Sequence, residues 1–381
     1  MGRLRRGRLL MVAGLVVLSA VLGLVRYQLE PRHEYGDTFW YARSALIIAG
    51  RPVQLATVEA AQLMADERGL EDPSGWVKAV TEHDPRYVAI FDSRPLYPVI
   101  SAPLVAVAGL RSGLLVASLL AGILFGVTLG WFVEAVTGSH LAAAAAVMLG
   151  FALPSGTWFA VMLSDGWMLA LWTTTLLSAA RYLAVGRRAW LAAAIAGTVA
   201  LYATKPANGA VLVGTLVLLA LGGLIFRAGN RRRMLEIGAA AALVGIGQVV
   251  VFAILGLPGL ETTLQDLLTA HFTQPDVDNL LGRLLAKDVA SFTALARDAL
   301  GDPILQLLGA LLLVPLALQR AAWAWLWLVA ALASCLVIVV HPITTEVPRL
   351  LAPVWVSAAL GGAVAVAWVA RRFQGAADPE D

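Results

Sequence analysis

Ionisable residues interrupt or border the apolar stretches of this chain at a few positions. These positions are Glu34, Asp37, Asp92, Arg94, Asp165, Lys205, His341, Glu346 and Arg349. Ionisable groups are costly to bury near a membrane, so several at one depth indicate a functional site. A carboxylate can take the proton of an attacking hydroxyl group, and a guanidinium group binds phosphate oxygens. The set therefore suits group transfer from a donor already activated by phosphate.

Two of these carboxylates come directly before helical stretches. Asp37 follows the first apolar segment, and Asp165 lies in Ser164-Asp165-Gly166 at the start of another. Asp37 is either a general base or a helix N-cap. Asp165 either orients an acceptor or a metal ion, or caps its helix. Glu34 either shares the site with Asp37 or is a solvated loop charge.

Three cationic side chains are candidates for phosphate binding. Arg94 either binds phosphate or pairs with Asp92, and Lys205 either contacts phosphate or extends towards water from a helix end. Arg349 begins the last apolar stretch, and Glu346 is placed to pair with it. Because positive residues are rarer on the outer side of a membrane, a topological role for Arg349 is disfavoured. Arg349 is therefore predicted to hold a phosphate or diphosphate leaving group.

Most aromatic residues at the ends of the apolar stretches are typical of the membrane interface. Trp40 and Tyr41 are exceptions, because they lie beside Asp37, where a ring can stack on a sugar. The residues predicted to bind the sugar or the acceptor are Trp40, Tyr41, Glu34, Glu346 and His341.

Metal and nucleotide chemistry find little support in the sequence. The single cysteine, Cys335, lies inside an apolar run, so no intramolecular disulfide or cysteine-based metal site is expected. His341 lacks the paired-histidine spacing of a zinc site, and no Walker A or dinucleotide-binding glycine pattern occurs. No metal-binding residue is therefore predicted.

The composition is that of a polytopic membrane protein. Among 381 residues, 59% are hydrophobic and 14% are charged, and the mean hydropathy is +0.78. Soluble domains carry about 25% charged and about 45–50% apolar residues. A cytosolic enzyme is therefore excluded, and a net charge of +3 gives no reason to expect a nucleic-acid partner.

Ten apolar stretches are long enough to be candidate membrane spans. They are residues 9–25, 95–110, 113–133, 167–184, 189–204, 207–226, 234–257, 304–319, 322–340 and 350–370. The predicted fold is an all-α transmembrane bundle of about 10–12 membrane segments, forming a single domain over residues 1–373. Residues 374–381 are expected to be a disordered tail.

The distribution of Lys and Arg predicts the orientation of this bundle in the plasma membrane. Both termini are expected in the cytoplasm, and residues 26–94 and 258–303 on the extracytoplasmic side. This alternation requires residues 141–163 to enter and leave on one side, as two short half-helices meeting at Pro154. The alternative is one kinked helix together with a wrongly assigned neighbouring span.

The two predicted outer segments contain helices of their own. Residues 26–94 are predicted to hold helices at 37–48, at 58–68 with Thr57 as its N-cap, and at 75–82 with Ser74 as its N-cap. Residues 258–303 are amphipathic, and such helices either lie at the interface or close over a cavity.

The layout of these elements resembles the membrane glycosyltransferases of the GT-C superfamily. The likeness is carried by an anchor helix, the Gly36-Asp37 start of the outer loop, Arg94-Pro95-Leu96-Tyr97-Pro98, Leu163-Ser164-Asp165, and Pro348-Arg349-Leu350-Leu351-Ala352-Pro353. It spans most of the chain in layout, and each motif is short.

The resemblance implies transfer of a sugar from a dolichyl- or polyprenyl-phosphate donor, with inversion at the anomeric carbon. Asp37 would be the general base and Asp165 the secondary acidic position, while Arg349 would neutralise the lipid phosphate, with Arg94 or Lys205. Thr38 stands where the family often has a second acidic residue, and Leu350 where an aromatic residue is common. These departures leave open the acceptor and the need for a divalent cation, and they also permit an inactive homologue.

Two other functions fit the composition. A lipid or solute transporter would show inverted repeats and charged groups at mid-membrane, whereas these charges lie at helix ends. A non-catalytic membrane assembly protein would use the outer loop as a partner surface. The sequence specifies no protein partner.

Overall fold

The computed structural model describes residues 2–225, 230–319, 322–343 and 346–377. Regular structure within these ranges is helical. The α-helices are α1 (Gly2–Leu29), α2 (Gly36–Ile48), α3 (Val53–Arg68), α4 (Ser74–Glu82), α5 (Pro85–Asp92), α6 (Leu96–Ala108), α7 (Leu110–Thr137), α8 (His140–Ala152), α9 (Asp165–Val185), α10 (Arg188–Tyr202), α11 (Pro206–Ile225), α12 (Arg231–Leu255), α13 (Leu260–Leu268), α14 (Leu280–Gly301), α15 (Pro303–Gln319), α16 (Ala322–Ser334), α17 (Leu336–Val340), α18 (Val347–Leu350) and α19 (Ala352–Ala377), and a 3-10 helix covers Pro154–Phe159. Residues 374–377 of the predicted disordered tail belong to α19, and residues 378–381 lie outside the described ranges.

The described helices confirm the predicted all-α membrane bundle. Six are long and apolar enough to cross a membrane: Gly7–Leu29 of α1, α7, α9, α11, α12, and Ala352–Phe373 of α19. Five shorter apolar helical stretches are Leu96–Ala108, His140–Ala152, Arg188–Tyr202, Leu305–Leu318 and Trp323–Val339. Without Leu96–Ala108, which does not cross the bundle, these described helices give ten segments, within the predicted 10–12.

The antiparallel pair of α1 and α7 defines the two ends of the bundle. We call the end at Tyr27, near the carboxyl end of α1, the upper end, and the end at Thr137, where α7 stops, the lower end. A Cβ atom at Gly126 of α7 would lie 2.0 Å from the Ser19 hydroxyl oxygen on α1. Only glycine allows this approach, so the two helices pack backbone against side chain.

The predicted span at residues 95–110 does not cross the bundle. It forms the 13-residue helix α6, and Gly109, with φ of +83°, turns the chain back along the first turns of α7. A Cβ atom at Gly113 would lie 2.5 Å from the α6 backbone, and Arg111 donates to the Tyr27 hydroxyl group at 3.1 Å. Both ends of α6 therefore lie at the upper end. This prediction was wrong because hydropathy does not distinguish a short buried helix from a span.

Removing α6 from the spans resolves the arrangement of residues 141–163. Helix α7 descends to the lower end, so α8 crosses upwards and stops at Ala152, and the 3-10 helix begins at Pro154. The predicted break at Pro154 is confirmed, but entry and exit on one side was wrong. The structure agrees with the alternative of a kinked element beside a wrongly assigned span.

Helices α9 to α12 then alternate in direction. Arg233, in the first turn of α12, donates to the carbonyl oxygens of Leu183 and Ala184 at 2.8 Å, so the end of α9 meets the start of α12 at the lower end. Lys205, between α10 and α11, contacts Asp165 at the start of α9. The α10–α11 connection therefore lies at the upper end.

Helices α2 to α6 form a folded layer at the upper end. Helices α2 and α4 begin within one residue of the predicted positions. Helix α3 begins at Val53 and not after Thr57, whose hydroxyl group donates to the Val53 carbonyl oxygen inside the helix. Helix α5 was not predicted, although Asp84 accepts from the Arg86 backbone N–H and Pro85 occupies the first helical position, a common helix start.

The two predicted outer segments contact each other through α5. Arg86 pairs with Asp276 at 2.7 Å and lies 4.2 Å from the centroid of the Phe272 ring. Tyr87 packs on His271 with ring centroids 5.0 Å apart. We call these contacts of Arg86 and Tyr87 with Phe272, Asp276 and His271 the α5 clasp.

The segment held by the clasp has an unusual backbone. Ala270, His271 and Phe272 have φ values of 50°, 62° and 59°. Left-handed backbone costs a non-glycine residue about 1–2 kcal/mol. The contacts of the clasp and of the flanking helices α13 and α14 must offset this strain.

Candidate active site

Arg349 joins the two predicted catalytic carboxylates. Its Nη2 atom lies 2.6 Å from Oδ2 of Asp37. Its Nε and Nη2 atoms donate to the two carboxylate oxygens of Asp165 at 3.0 and 3.1 Å. The arginine side chain is 10% exposed and that of Asp165 is fully buried. Residues far apart in the sequence therefore share one cluster at the upper end.

The start of α2 is fixed in a way that presents Asp37. The backbone N–H of Tyr35 donates to Oγ1 of Thr38 at 3.0 Å, and this hydroxyl group donates to the Met162 carbonyl oxygen at 3.1 Å. Thr38 thus ties α2 to the segment that leads into α9. This contact explains why threonine occupies the position next to Asp37.

Asp165 occupies the first turn of α9, where the helix dipole favours a negative charge. The preceding Ser164 exchanges a hydrogen bond with the Tyr41 hydroxyl group at 2.9 Å. Lys205 Nζ lies 2.5 Å from Oδ1 of Asp165. Asp165 is therefore held by two cations, and it is better placed to orient Arg349 and Lys205 than to accept a proton.

The charges of the cluster follow from burial and proximity. Burial raises the pKa of Asp37, but Arg349 and Arg94 outweigh burial and hold this pKa below its usual value. Burial and Arg349 lower the pKa of Lys205 to about 8, although Asp165 opposes them. Burial disfavours the charged form of Arg349, but Asp165 and Asp37 raise its pKa. Asp37 and Arg349 are therefore both charged at neutral pH.

A cavity of about 170 Å³ lies beside this cluster. We call it the cationic cavity, because Arg94, Lys205 and Arg349 lie in its wall. Its other polar lining residues are Asp37, Tyr87, Asn208, Thr263, Asp266, His271, His341 and Glu346. Seven of the predicted site residues thus either line the cavity or, in the case of Asp165, contact its wall.

Arg94 lies in the wall of the cationic cavity and has a hydrogen-bond donor without a partner. It has no carboxylate within salt-bridge distance among the described residues, and the predicted alternative pair with Asp92 does not form. Its Nε is buried without a hydrogen-bond partner. Burial opposes its charged form, but Tyr41 and Asp37 raise its pKa. Arg94 is thus a cation able to contact an anion in the cavity.

His341 and Glu346 lie next to each other in the wall of the cationic cavity. The His341 Nε2 atom lies 3.8 Å from a Glu346 carboxylate oxygen. Burial, Lys205 and Arg349 lower the pKa of His341 to about 4. His341 is therefore neutral at pH 7 and adds no positive charge to the cavity.

Three predicted site residues lie away from the cavity. Glu34 pairs with Arg68 of α3 at 3.0 Å. Trp40 is 4% exposed and stacks on Phe91 at 5.5 Å, and the fully buried Tyr41 contacts Ser164. These side chains support the upper layer, and none of them lines the cavity.

Tyr87, Asp266 and His271 also line the cationic cavity, although no sequence motif predicted them as site residues. Asp266 and His271 share a hydrogen bond of 2.9 Å, and both line the cavity with Tyr87. The Asp84-Pro85 helix start could have located Tyr87, since it predicts α5. His271 follows the apolar stripe of α13. Its left-handed backbone could not be predicted, because its neighbours are Ala270 and Phe272 and not the glycine or asparagine residues that usually adopt positive φ.

A second cavity of about 260 Å³ adjoins Arg349. Its lining residues are Glu30, Tyr35, Pro154, Thr157, Trp158, Glu346, Pro348 and Arg349. We call it the aromatic cavity. Arg349 and Glu346 line both cavities and therefore form part of the wall between them.

The donor set does not fit a bound metal ion. Among the described residues, no three His, Cys, Asp or Glu side chains converge as ligands. The oxygens of Asp165 are engaged by Arg349 and Lys205, and Asp37 also contacts Arg349. We therefore derive no chemical step through a metal.

The fold resembles that of a known membrane protein. Comparison with solved structures finds ArnT from Cupriavidus metallidurans, determined bound to undecaprenyl phosphate, with 17% sequence identity and a TM-score of 0.51. The similarity covers 93% of this chain, which spans 60% of the length of the ArnT chain. No family model matches the sequence, and neither does any curated protein.

This likeness shows the fold. It confirms at the level of architecture the predicted all-α fold, since the helices of this chain are arranged like those of ArnT.

Proposed function

We propose that this protein transfers a sugar from a polyprenyl-phosphate donor to a hydroxyl acceptor on the extracytoplasmic side of the membrane. The observation that carries the proposal is Arg349, which joins Asp37 to Asp165 beside a cavity containing two further cations. The fold supports it, since ArnT was determined bound to undecaprenyl phosphate.

The cationic cavity suits the donor phosphate. Arg94, Lys205 and Arg349 can together neutralise the charge of the leaving phosphate. Arg349 would keep its contacts with Asp165 and turn the Nη2 hydrogen bond now made to Asp37 towards a phosphate oxygen. Removing one such electrostatic stabiliser typically slows a reaction by about 10²–10³. Val337 and Leu350 line the same cavity and belong to an apolar cluster with Ile338, where the first part of a lipid chain can pack.

The proposed reaction is a single displacement. The acceptor oxygen forms a bond to the anomeric carbon as the bond from that carbon to the phosphate oxygen breaks. The electron pair of the broken bond stays on the phosphate, and the acceptor proton passes to the Asp37 carboxylate. The products are an inverted glycoside and polyprenyl phosphate, and Asp37 later releases its proton to water.

Donor binding would strengthen Asp37 as a base. In the structure Arg349 holds the pKa of Asp37 below its usual value. A phosphate that takes over the Arg349 contact weakens this effect, so the carboxylate becomes more basic when the donor is present. The base would thus be activated by its own substrate.

The orientation of the site is part of the proposal. The lower end carries Arg188, Arg232 and Arg233, and Arg371 donates to the Thr137 carbonyl oxygen there. The positive-inside rule places this end in the cytoplasm, and hence both termini. The cluster around Arg349 then faces the extracytoplasmic side. Its position at one end of the bundle favours an enzyme over a transporter.

The decisive experiment compares Asp37→Asn with wild type in reconstituted vesicles. A panel of polyprenyl-phosphate sugars is supplied with a cell-envelope glycan fraction, and loss of donor is measured. We expect Asp37→Asn to reduce turnover by at least about 10² while expression and folding persist. The amide keeps the size of the side chain but cannot take a proton.

The matched control is Asp92→Asn. This exposed carboxylate lies in the same upper layer but does not line the cavity, so normal turnover is expected. Equal turnover by Asp37→Asn and wild type would remove Asp37 from the mechanism. Absence of turnover by wild type with every donor would reject the glycosyltransferase itself.

A further inference from the structure

We infer that the aromatic cavity binds the acceptor, and that the acceptor presents a saccharide ring to Asp37. This inference rests on the proposed function and extends it to the second substrate. Three features of the aromatic cavity support this inference: the charge of its lining residues, the aromatic rings in its wall, and an indole N–H group without an acceptor.

The aromatic cavity offers less positive charge to a phosphate than the cationic cavity does. Its charged lining residues are Glu30, Glu346 and Arg349, whereas the cationic cavity has Arg94, Lys205 and Arg349 against Asp37, Asp266 and Glu346. Arg26 pairs with Glu30 at 3.5 Å. One lining cation against two carboxylates favours a neutral polyol, which can donate hydroxyl groups to the carboxylates, over an anion.

The walls of the cavity suit a sugar ring. The Tyr35 and Trp158 rings have centroids 5.9 Å apart and are tilted by 46°. Aromatic faces pack on the C–H face of a pyranose or furanose while its hydroxyl groups point to polar neighbours. Tyr35 is 37% exposed, so part of its ring is accessible to a ligand.

A polar group in this wall lacks a partner. Trp158 is 5% exposed, and its indole N–H has no hydrogen-bond acceptor. The indole N–H groups of Trp172, Trp327 and Trp355 also lack an acceptor, but of these four groups only that of Trp158 belongs to a residue in a cavity wall, where a ligand atom can approach it. A hydroxyl oxygen of the bound saccharide would accept this hydrogen bond.

The position of the cavity allows reaction. Arg349 lines both cavities and lies 2.6 Å from Asp37. Asp37 lines the cationic cavity and not the aromatic cavity, so the inference requires an acceptor hydroxyl group to extend past Arg349 to the carboxylate, while the donor carbon approaches from the cationic cavity. The volume of about 260 Å³ is below the roughly 300–1,000 Å³ of drug-sized ligand pockets, so it suits one sugar residue at the end of a larger acceptor.

The test uses single-cysteine reporters in the full-length protein in nanodiscs. Cys335 is first replaced by serine, since it is the single cysteine. Thr157→Cys then reports on the aromatic cavity and the exposed Ala207→Cys on the cationic cavity. Each reacts with a methanethiosulfonate reagent in the presence of undecaprenyl phosphate or of a panel of methyl hexosides and pentosides.

At saturation, we expect at least one methyl glycoside to slow modification of Thr157→Cys by about tenfold, with no effect on Ala207→Cys. Undecaprenyl phosphate should protect Ala207→Cys and leave Thr157→Cys reactive. Adding Tyr35→Ala should abolish glycoside protection, whereas Tyr35→Phe should retain it because the ring remains. The exposed Pro348→Cys provides a second reporter if Thr157→Cys fails to fold.

Two results would overturn the inference. One is protection of the aromatic-cavity reporter by undecaprenyl phosphate. The other is a reporter that no glycoside in the panel protects. Failure of undecaprenyl phosphate to protect Ala207→Cys would count against the proposed donor site, while glycoside protection of Thr157→Cys would still support a saccharide site.

Discussion

Lys205 illustrates how single side chains set the behaviour of the site. It contacts Asp165, lines the cationic cavity and has a pKa lowered to about 8. Below that pH the ammonium group is charged and can bind phosphate. As pH rises through about 8 the ligand-free protein loses this charge, whereas the charge of a lipid monophosphate, with a second pKa of about 6, no longer changes.

We therefore expect affinity for undecaprenyl phosphate to fall as pH rises above about 8, by up to about tenfold per pH unit. Lys205→Arg should show no such decline, because arginine stays charged throughout this range. Binding is measured in nanodiscs by competition with a labelled lipid phosphate. Identical pH profiles for the two proteins would mean that Lys205 does not contact the phosphate.

The sequence indicated most of the cluster because ionisable residues are rare in apolar segments and few structural roles explain them there. Asp37, Arg94, Asp165, Lys205 and Arg349 were found in this way, and they lie together. Trp40 and Tyr41 were misplaced for a different reason. They share a face of α2 with Asp37, but α5 covers that face through Phe91, and α5 was not predicted.

At the scale of elements, α6 shows what hydropathy cannot decide. Its residues are as apolar as those of a span, yet the helix folds back on α7 at Gly109. The evidence against a span lies in tertiary contacts such as the pairs of Arg111 with Glu67 and Tyr27. No local property of the sequence specifies those contacts.

Whether α6 spans the membrane can be tested by cysteine labelling. Ser112, exposed at the start of α7, should lie on the outer side, whereas the predicted span at 95–110 would have placed it inside. We expect a membrane-impermeant maleimide to label Ser112→Cys in intact spheroplasts of a Cys335→Ser background. His140→Cys, exposed at the lower end, should be labelled only after permeabilisation. The reverse pattern for Ser112 would restore the span.

At the scale of the whole molecule, the fold class followed from composition, and the layout followed from short motifs at helix ends. The direction in which each helix crosses the membrane could not be predicted reliably. Counting α6 as a span reversed the predicted direction of the helix that follows it. The structure restores regular alternation from α7 to α12 without a re-entrant segment. The likeness to ArnT at 17% identity shows that this architecture tolerates extensive change in sequence.

Close helix packing holds the bundle together. A Cβ atom at Gly126 would lie 2.0 Å from Oγ and 2.9 Å from Cβ of Ser19, so the two helices must separate. We expect Gly126→Val to lower the stability by about 1–3 kcal/mol, seen as a reduced melting temperature in detergent. Gly222→Val is the control, since nothing lies within 4 Å of a Cβ atom there. Equal melting temperatures would show that α1 is only loosely attached.

The α5 clasp leads to an expectation for the kinetics of lipid binding. Arg86 and Asp276 are 42% and 49% exposed and line neither cavity, so we expect neither of them to contact a bound ligand. Our hypothesis is that the clasp, whose Tyr87 and His271 line the cationic cavity, limits access of a lipid to that cavity. We therefore expect Arg86→Ala to raise the association and dissociation rate constants of undecaprenyl phosphate in stopped-flow measurements while their ratio stays constant. A changed ratio would instead assign Arg86 to the binding surface, and unchanged rate constants would show that the clasp serves only to hold the strained turn at Ala270–Phe272 in place.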